Sequence, residues 1–167
     1  MLDLKPFSEL ELLQLNAATI GELKRRGVVR TNNKPTGDYA EHLFCTAFGW
    51  AQQNNSTKSY DAVSPDGMTY QIKARHFSGG KSSRQLGSIR SFDFDYLAAI
   101  LFRENYFVER AIIIPVASIK GETHRSTHTN SELFYLEDYI WDWPGIQDAT
   151  ETLRQAQVEP VVKTSSR

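Results

Sequence analysis

The chain carries one cysteine, Cys45, among its 167 residues. A lone thiol excludes an internal disulfide framework and a multi-cysteine zinc site, and Cys45 reads as a small core or helix residue. Long apolar runs are missing as well. Segments 96–102 and 111–116 are only strand-length, against about 20 residues for a membrane span. Asp3, Glu9 and Glu11 interrupt any apolar stretch of the secretory kind, so a cytoplasmic location is expected. Internal repeats and low-complexity tracts are absent. With 40% hydrophobic and 23% charged residues, the composition is that of a folded domain with a real core.

Net charge is also lacking. The formal value of −1 argues against a general polycation that coats nucleic acid. Its distribution is uneven, however. Lys24, Arg25, Arg26, Arg30 and Lys34 cluster against Glu22 alone. The stretch 71–92 holds Lys73, Arg75, Lys81, Arg84 and Arg90 with no acid. From 93 to 159 the balance reverses, twelve acids against five bases. Such a chain either presents one face to phosphates and another that repels them, or carries two unrelated solvated segments.

Local patterns predict the elements. Ser8 with Glu11 reads as a capping box, and Leu10, Leu13, Ala17, Ile20 and Leu23 follow at helical spacing, with Gly27 just past the end. A second helix is predicted over 38–48, where Ala40, Leu43, Phe44, Ala47 and Phe48 form one stripe with Glu41 on its margin. Segments 59–63 and 68–75 read as a hairpin around Ser64-Pro65-Asp66-Gly67, a type I turn sequence. Segment 76–91, rich in Gly, Ser and Arg, reads as a long, mobile, basic loop. Strands are predicted at 95–102 and 107–116, a helix at 146–157 and a frayed tail after Pro160.

Strand alternation sets Gln71 and Lys73 on one face, about 7 Å apart, and the hairpin returns Asp61 alongside them. Glu41 is available from the preceding helix. A carboxylate, an amide oxygen and an ammonium at one hairpin supply what phosphodiester hydrolysis requires: oxygen ligands for a hard cation, an oriented water and positive charge near the phosphorane. Each residue also has a plain structural use. Asp61 suits a strand end or turn, Gln71 and Lys73 a solvated strand face, and Glu41 a capping box with Asp38 as the cap. Two further patterns are set aside. Gly80-Lys81-Ser82 lacks the first glycine of a phosphate-binding loop, and His124 with His128 lacks a third zinc ligand.

The pieces GDYAEHLF, SYDAV and YQIKAR, in the order helix, strand, turn, strand, resemble the PD-(D/E)xK (restriction-endonuclease-like) nuclease superfamily. The QxK form is similar to that of Mrr-type restriction enzymes. The resemblance covers residues 36–76. It implies an α/β fold, a restriction-endonuclease-like mixed sheet of about four to five strands flanked by helices. It further implies that Asp61, Gln71 and the Ile72 carbonyl hold Mg²⁺ or Mn²⁺, that Glu41 adds to the site, and that Lys73 orients or activates the attacking water. Gln71 stands where the family usually has Asp or Glu, and Tyr60 where proline usually precedes the aspartate. On this reading residues 1–160 form one nuclease-like domain, with an N-terminal helical part over 1–30 and a catalytic core over 36–116, and 161–167 is the tail. The expected activity is metal-dependent endonucleolytic hydrolysis of DNA, with a role in restriction or defence. The expected partners are double-stranded DNA, gripped by Arg75, Lys81, Arg84, Arg90, Arg30 and Lys34, and a second copy or partner protein that supplies specificity. The rival expectation is a catalytically inactive nucleic-acid-binding or assembly module of the same fold, favoured by the neutral Gln71.

Overall fold

Ser8 starts the first helix as its sequence requires: its side chain accepts from the Glu11 amide while the Glu11 carboxylate takes the Ser8 amide. In the computed structural model, which describes residues 3–54, 59–79, 83–128 and 130–158, that helix is α1 (Glu9–Arg25), followed by Gly27 at φ 73°. Helix α2 (Thr36–Phe48) begins two residues before its predicted start, with Pro35 at the cap. Asp38 does not cap it. Its buried carboxylate accepts instead from the amides of Arg30 (2.8 Å) and Thr31 (2.7 Å) and from the Thr31 hydroxyl. That pins the connector to α2 and removes the capping-box use of Glu41. Gly49, at φ 68°, ends the helix in the left-handed region that glycine tolerates.

The sheet has six strands, β1 (Ala51–Gln52), β2 (Ala62–Val63), β3 (Thr69–His76), β4 (Tyr96–Phe102), β5 (Val108–Pro115) and β8 (Gln147–Asp148), in the order β1-β2-β3-β4-β5-β8. Only β3 and β4 pair in parallel, so the sheet is mixed. A two-stranded ribbon, β6 (His124–Ser126) and β7 (Ser131–Leu133), lies apart from it. The hairpin between β2 and β3 closes as its sequence predicts. Gly67 donates to the Ser64 carbonyl at 2.9 Å, and Gly67 takes φ 88°. The first strand of that hairpin is shorter than expected: the Asp61 amide still donates to the Tyr70 carbonyl, but its carbonyl takes the Gln53 amide and its side chain, not its backbone, meets the Ile72 amide.

Strands β4 and β5 are buried on both faces, which their unbroken apolar sequences require. One face carries α2 and α3 (Thr150–Val158), where Ala40, Phe44, Ile72, Ile100 and Phe102 pack. On the other, Leu97, Leu101 and Ile112 pack against Leu86, Ile89, Phe134 and Ile140. Segment 83–91 is therefore not the free loop its composition predicts. Leu86 and Ile89 are each 1% exposed, and their amides bond the carbonyls of Phe134 and Glu132. Two apolar residues spaced three apart enter the core, and the backbone bonds to Phe134 and Glu132 hold the segment there. The final helix starts at Thr150 rather than 146, since Gln147 and Asp148 pair with β5 and Asp148 accepts from the Thr150 amide at 2.9 Å. The tail 161–167 lies outside the described residues. Among the described residues no helix is long and apolar enough to cross a membrane.

Candidate active site

Where β2 stops, one edge of β3 is left without a strand partner, and Asp61 occupies that edge. Its amide donates to the Tyr70 carbonyl at 2.8 Å, and its Oδ2 accepts the Ile72 amide at 2.7 Å. Along a strand the N–H and C=O of one residue point to the same side, so the Ile72 carbonyl also faces the Asp61 edge. Gln71 donates its side-chain amide to the same Asp61 oxygen. In that orientation its NH₂ group, not its oxygen, faces the carboxylate; a half-turn of the amide would exchange the two.

Glu41 reaches this edge from α2. It forms an ion pair with Arg30 and accepts from Gln52 Nε2 at 3.0 Å. Burial raises its pKa above the ordinary carboxylate range, and the nearby charge of Asp61 raises it further. Two acids close enough to repel each other, lining one cleft of about 410 Å³, are the electrostatic condition that a divalent cation relieves. Oxygen donors from Asp61, Glu41, the Ile72 carbonyl and a turned Gln71 amide fit a hard ion such as Mg²⁺ or Mn²⁺. Among the described residues no group of three or more His, Cys, Asp or Glu side chains converges, so any cation held here relies on amide and carbonyl oxygen beside the two acids.

Lys73 lies next along the same strand face. Burial lowers its pKa, while Asp61 and Glu41 pull it back up and Arg90 lowers it. Its stem runs beneath segment 83–91, and a methyl added at Gly87 would sit 3.8 Å from Lys73 Cδ. The ammonium is thus desolvated, held near two carboxylates and roofed by the 83–91 segment.

Arg30 is the residue whose place the sequence did not reveal. Its Nη2 meets Glu41, its Nη1 donates to the Gln53 carbonyl at 2.8 Å, and its Nε is buried without a partner. A cation is therefore already built into the acid pair. The signal was weak because β1, which brings Gln52 and Gln53 alongside, is two residues long and too short to show alternation.

No protein-family model matches this chain, and no curated protein matches it. Among solved structures it is similar to a bacterial homing endonuclease, I-Ssp6803I, at 22% identity and a TM-score of 0.41, over 65% of this chain and 79% of that one. A likeness of that size decides nothing about the chemistry of these residues.

The expected phosphate-gripping residues scatter. Lys34 lines the cleft with Arg30 and Asn33. Arg75 donates to the Ser83 carbonyl at 2.8 Å. Arg84 lies over the Phe77 ring and pairs with Asp138 at 2.7 Å, with only 19% of its side chain exposed. Arg90 is exposed, and Lys81 lies outside the described residues.

Proposed function

We propose that this chain is a metal-dependent nuclease of the PD-(D/E)xK type that hydrolyses DNA phosphodiester bonds. The observation that carries the reading is the meeting of Asp61, Gln71, Ile72, Lys73 and Glu41 at one unpaired strand edge, from three separate elements. Asp61 and Glu41, with the Ile72 carbonyl and the Gln71 amide oxygen, would hold Mg²⁺ or Mn²⁺. When bound, the ion supplies Lewis-acid polarisation of the phosphate and a lowered pKa for water. Lys73, with its ammonium partly desolvated, orients the attacking water and stands where charge develops on the phosphorane. Arg30 and Lys34 line the cleft where the phosphate backbone would enter, and the exposed Arg90 lies close enough to Lys73 to act on its charge. Sequence specificity would come from surface loops, a second copy or a partner protein, and the resemblance to PD-(D/E)xK nucleases points to a role in restriction or defence.

One observation favours a second reading. Arg30 already neutralises Glu41, and the Gln71 amide already satisfies Asp61, as in a binding module that kept the fold without the chemistry. Incubation of supercoiled plasmid with the protein, with and without Mg²⁺ or Mn²⁺, separates the two. Nicking that requires the ion and disappears in Lys73→Ala, with gel-shift affinity retained, supports the nuclease. Metal-independent binding without any nicking leaves the binding module.

A further inference from the structure

Arg30 enters the cleft from a fixed backbone. Its amide and that of Thr31 are held by the Asp38 carboxylate at 2.8 and 2.7 Å, so only the side chain is free to change place. That side chain forms an ion pair with Glu41. The two are 26% and 17% exposed, too buried for solvent to screen their charges as it does at a surface. The guanidinium fits its seat incompletely. Nη1 donates to the Gln53 carbonyl, yet Nε is buried without a partner, so its desolvation is offset by no bond. The acids are half-engaged in the same way. Arg30 and Gln52 both donate to Glu41 Oε2, and Gln71 and Ile72 both donate to Asp61 Oδ2. Among the described residues no hydrogen bond falls on Glu41 Oε1 or Asp61 Oδ1.

We propose that Arg30 is an exchangeable counterion, which holds Glu41 in the ion-free protein and yields that carboxylate to a divalent cation. The inference rests on the metal-dependent reading of the cleft and deepens it. A guanidinium and a divalent ion compete for one carboxylate, because each repels the other at such short range. Hard divalent ions favour sites with more than one carboxylate, and Glu41 and Asp61 line this cleft together. The displaced guanidinium stays in the cleft beside Asn33 and Lys34, tethered through its backbone to Asp38. Its paired N–H donors there suit the oxygens of a phosphate. Loading of the ion and grip on the nucleic-acid backbone then become linked. A permanent structural pair would instead keep Glu41 from any added ion.

Calorimetric titration of Mn²⁺ into the DNA-free full chain, in mildly alkaline buffer that keeps Glu41 ionised, reads the competition without any cleavage. Arg30→Met is expected to bind Mn²⁺ at least about tenfold more tightly than wild type, the lower end of couplings between close charges. Arg30→Gln, which keeps a donor for the Gln53 carbonyl, should gain as much and carries the comparison if Arg30→Met fails to fold. Arg30→Lys keeps the charge and should stay near wild type. In a Glu41→Gln background the gain should vanish, because the contested carboxylate is gone. Equal Mn²⁺ affinity in wild type and a folded, charge-free variant, or a gain that persists without Glu41, overturns the proposal. Plasmid nicking is scored separately. A gain in Mn²⁺ affinity without nicking by any variant keeps the exchange and removes the nuclease reading. Wild-type nicking with equal Mn²⁺ affinities keeps the nuclease and removes the exchange.

Discussion

Gln71 is the residue on which the proposed metal chemistry turns, because it stands where the family this chain resembles usually carries a charged residue. Gln71→Glu is expected to tighten Mn²⁺ binding in the DNA-free protein by roughly 1–3 kcal/mol, the gross attraction being reduced by desolvation and by repulsion from Asp61. Calorimetric titration of both proteins reads the difference, and equal affinities would remove Gln71 from the ligand set. Glu41 governs the pH dependence. Its pKa in the folded protein lies above its unfolded value of 4.5. The folded state therefore holds more protons across that window, and Glu41's contribution to stability falls as pH rises through it. Cation binding needs the ionised acid, so Mn²⁺ affinity should strengthen over the same rise. Glu41→Gln should flatten that acid limb; an unchanged profile would show that Glu41 does not hold the ion. Cys45, its pKa pushed up to about 12 chiefly by burial, takes no part in this chemistry.

At the scale of elements, segment 83–91 carries a consequence that its basic composition hides. Leu86 and Ile89 anchor it in the core, and Arg84 is held by Asp138, which also pairs with Arg110 at 2.7 Å. Leu86→Ala should cost about 2–5 kcal/mol of stability, the range for a fully buried leucine. Arg84→Ala should lower stability more than DNA affinity, while Arg90→Ala should leave stability unchanged and reduce the salt slope of DNA binding by about 0.9. Urea melts set beside gel shifts at several salt concentrations measure both. If Arg84→Ala weakens DNA binding as Arg90→Ala does, with no loss of stability, the Asp138 pair is not what holds it. The alternation that puts Gln71 and Lys73 together works at this same scale, and it is local enough to be read from eight residues.

Across the whole molecule, stability should follow burial. Strands β4 and β5 are covered on both faces, whereas α1 lies on the surface and buries none of its residues. Hydrogen exchange at low protein concentration is expected to give the amides of 97–101 and 111–114 the slowest rates and those of α1 among the fastest. Uniform protection across α1 and β4 in dilute protein would contradict this account of the fold.

Residue type and spacing alone determined the helix starts at Ser8 and near Asp38, the Ser64–Gly67 hairpin, the two apolar central strands, and the shared face of Gln71 and Lys73. These depend on contacts within a few residues, where periodicity and turn chemistry act directly. Only the tertiary structure decided that Arg30 pairs with Glu41 eleven residues away, that Asp38 ties the connector instead of capping α2, and that Leu86 and Ile89 bury a segment of loop-like composition. It also decided that the stripe on α1 divides, Leu10 and Leu13 standing exposed while Ile20 and Leu23 meet the body. Periodicity fixes which residues share a face; what that face meets depends on where distant elements pack.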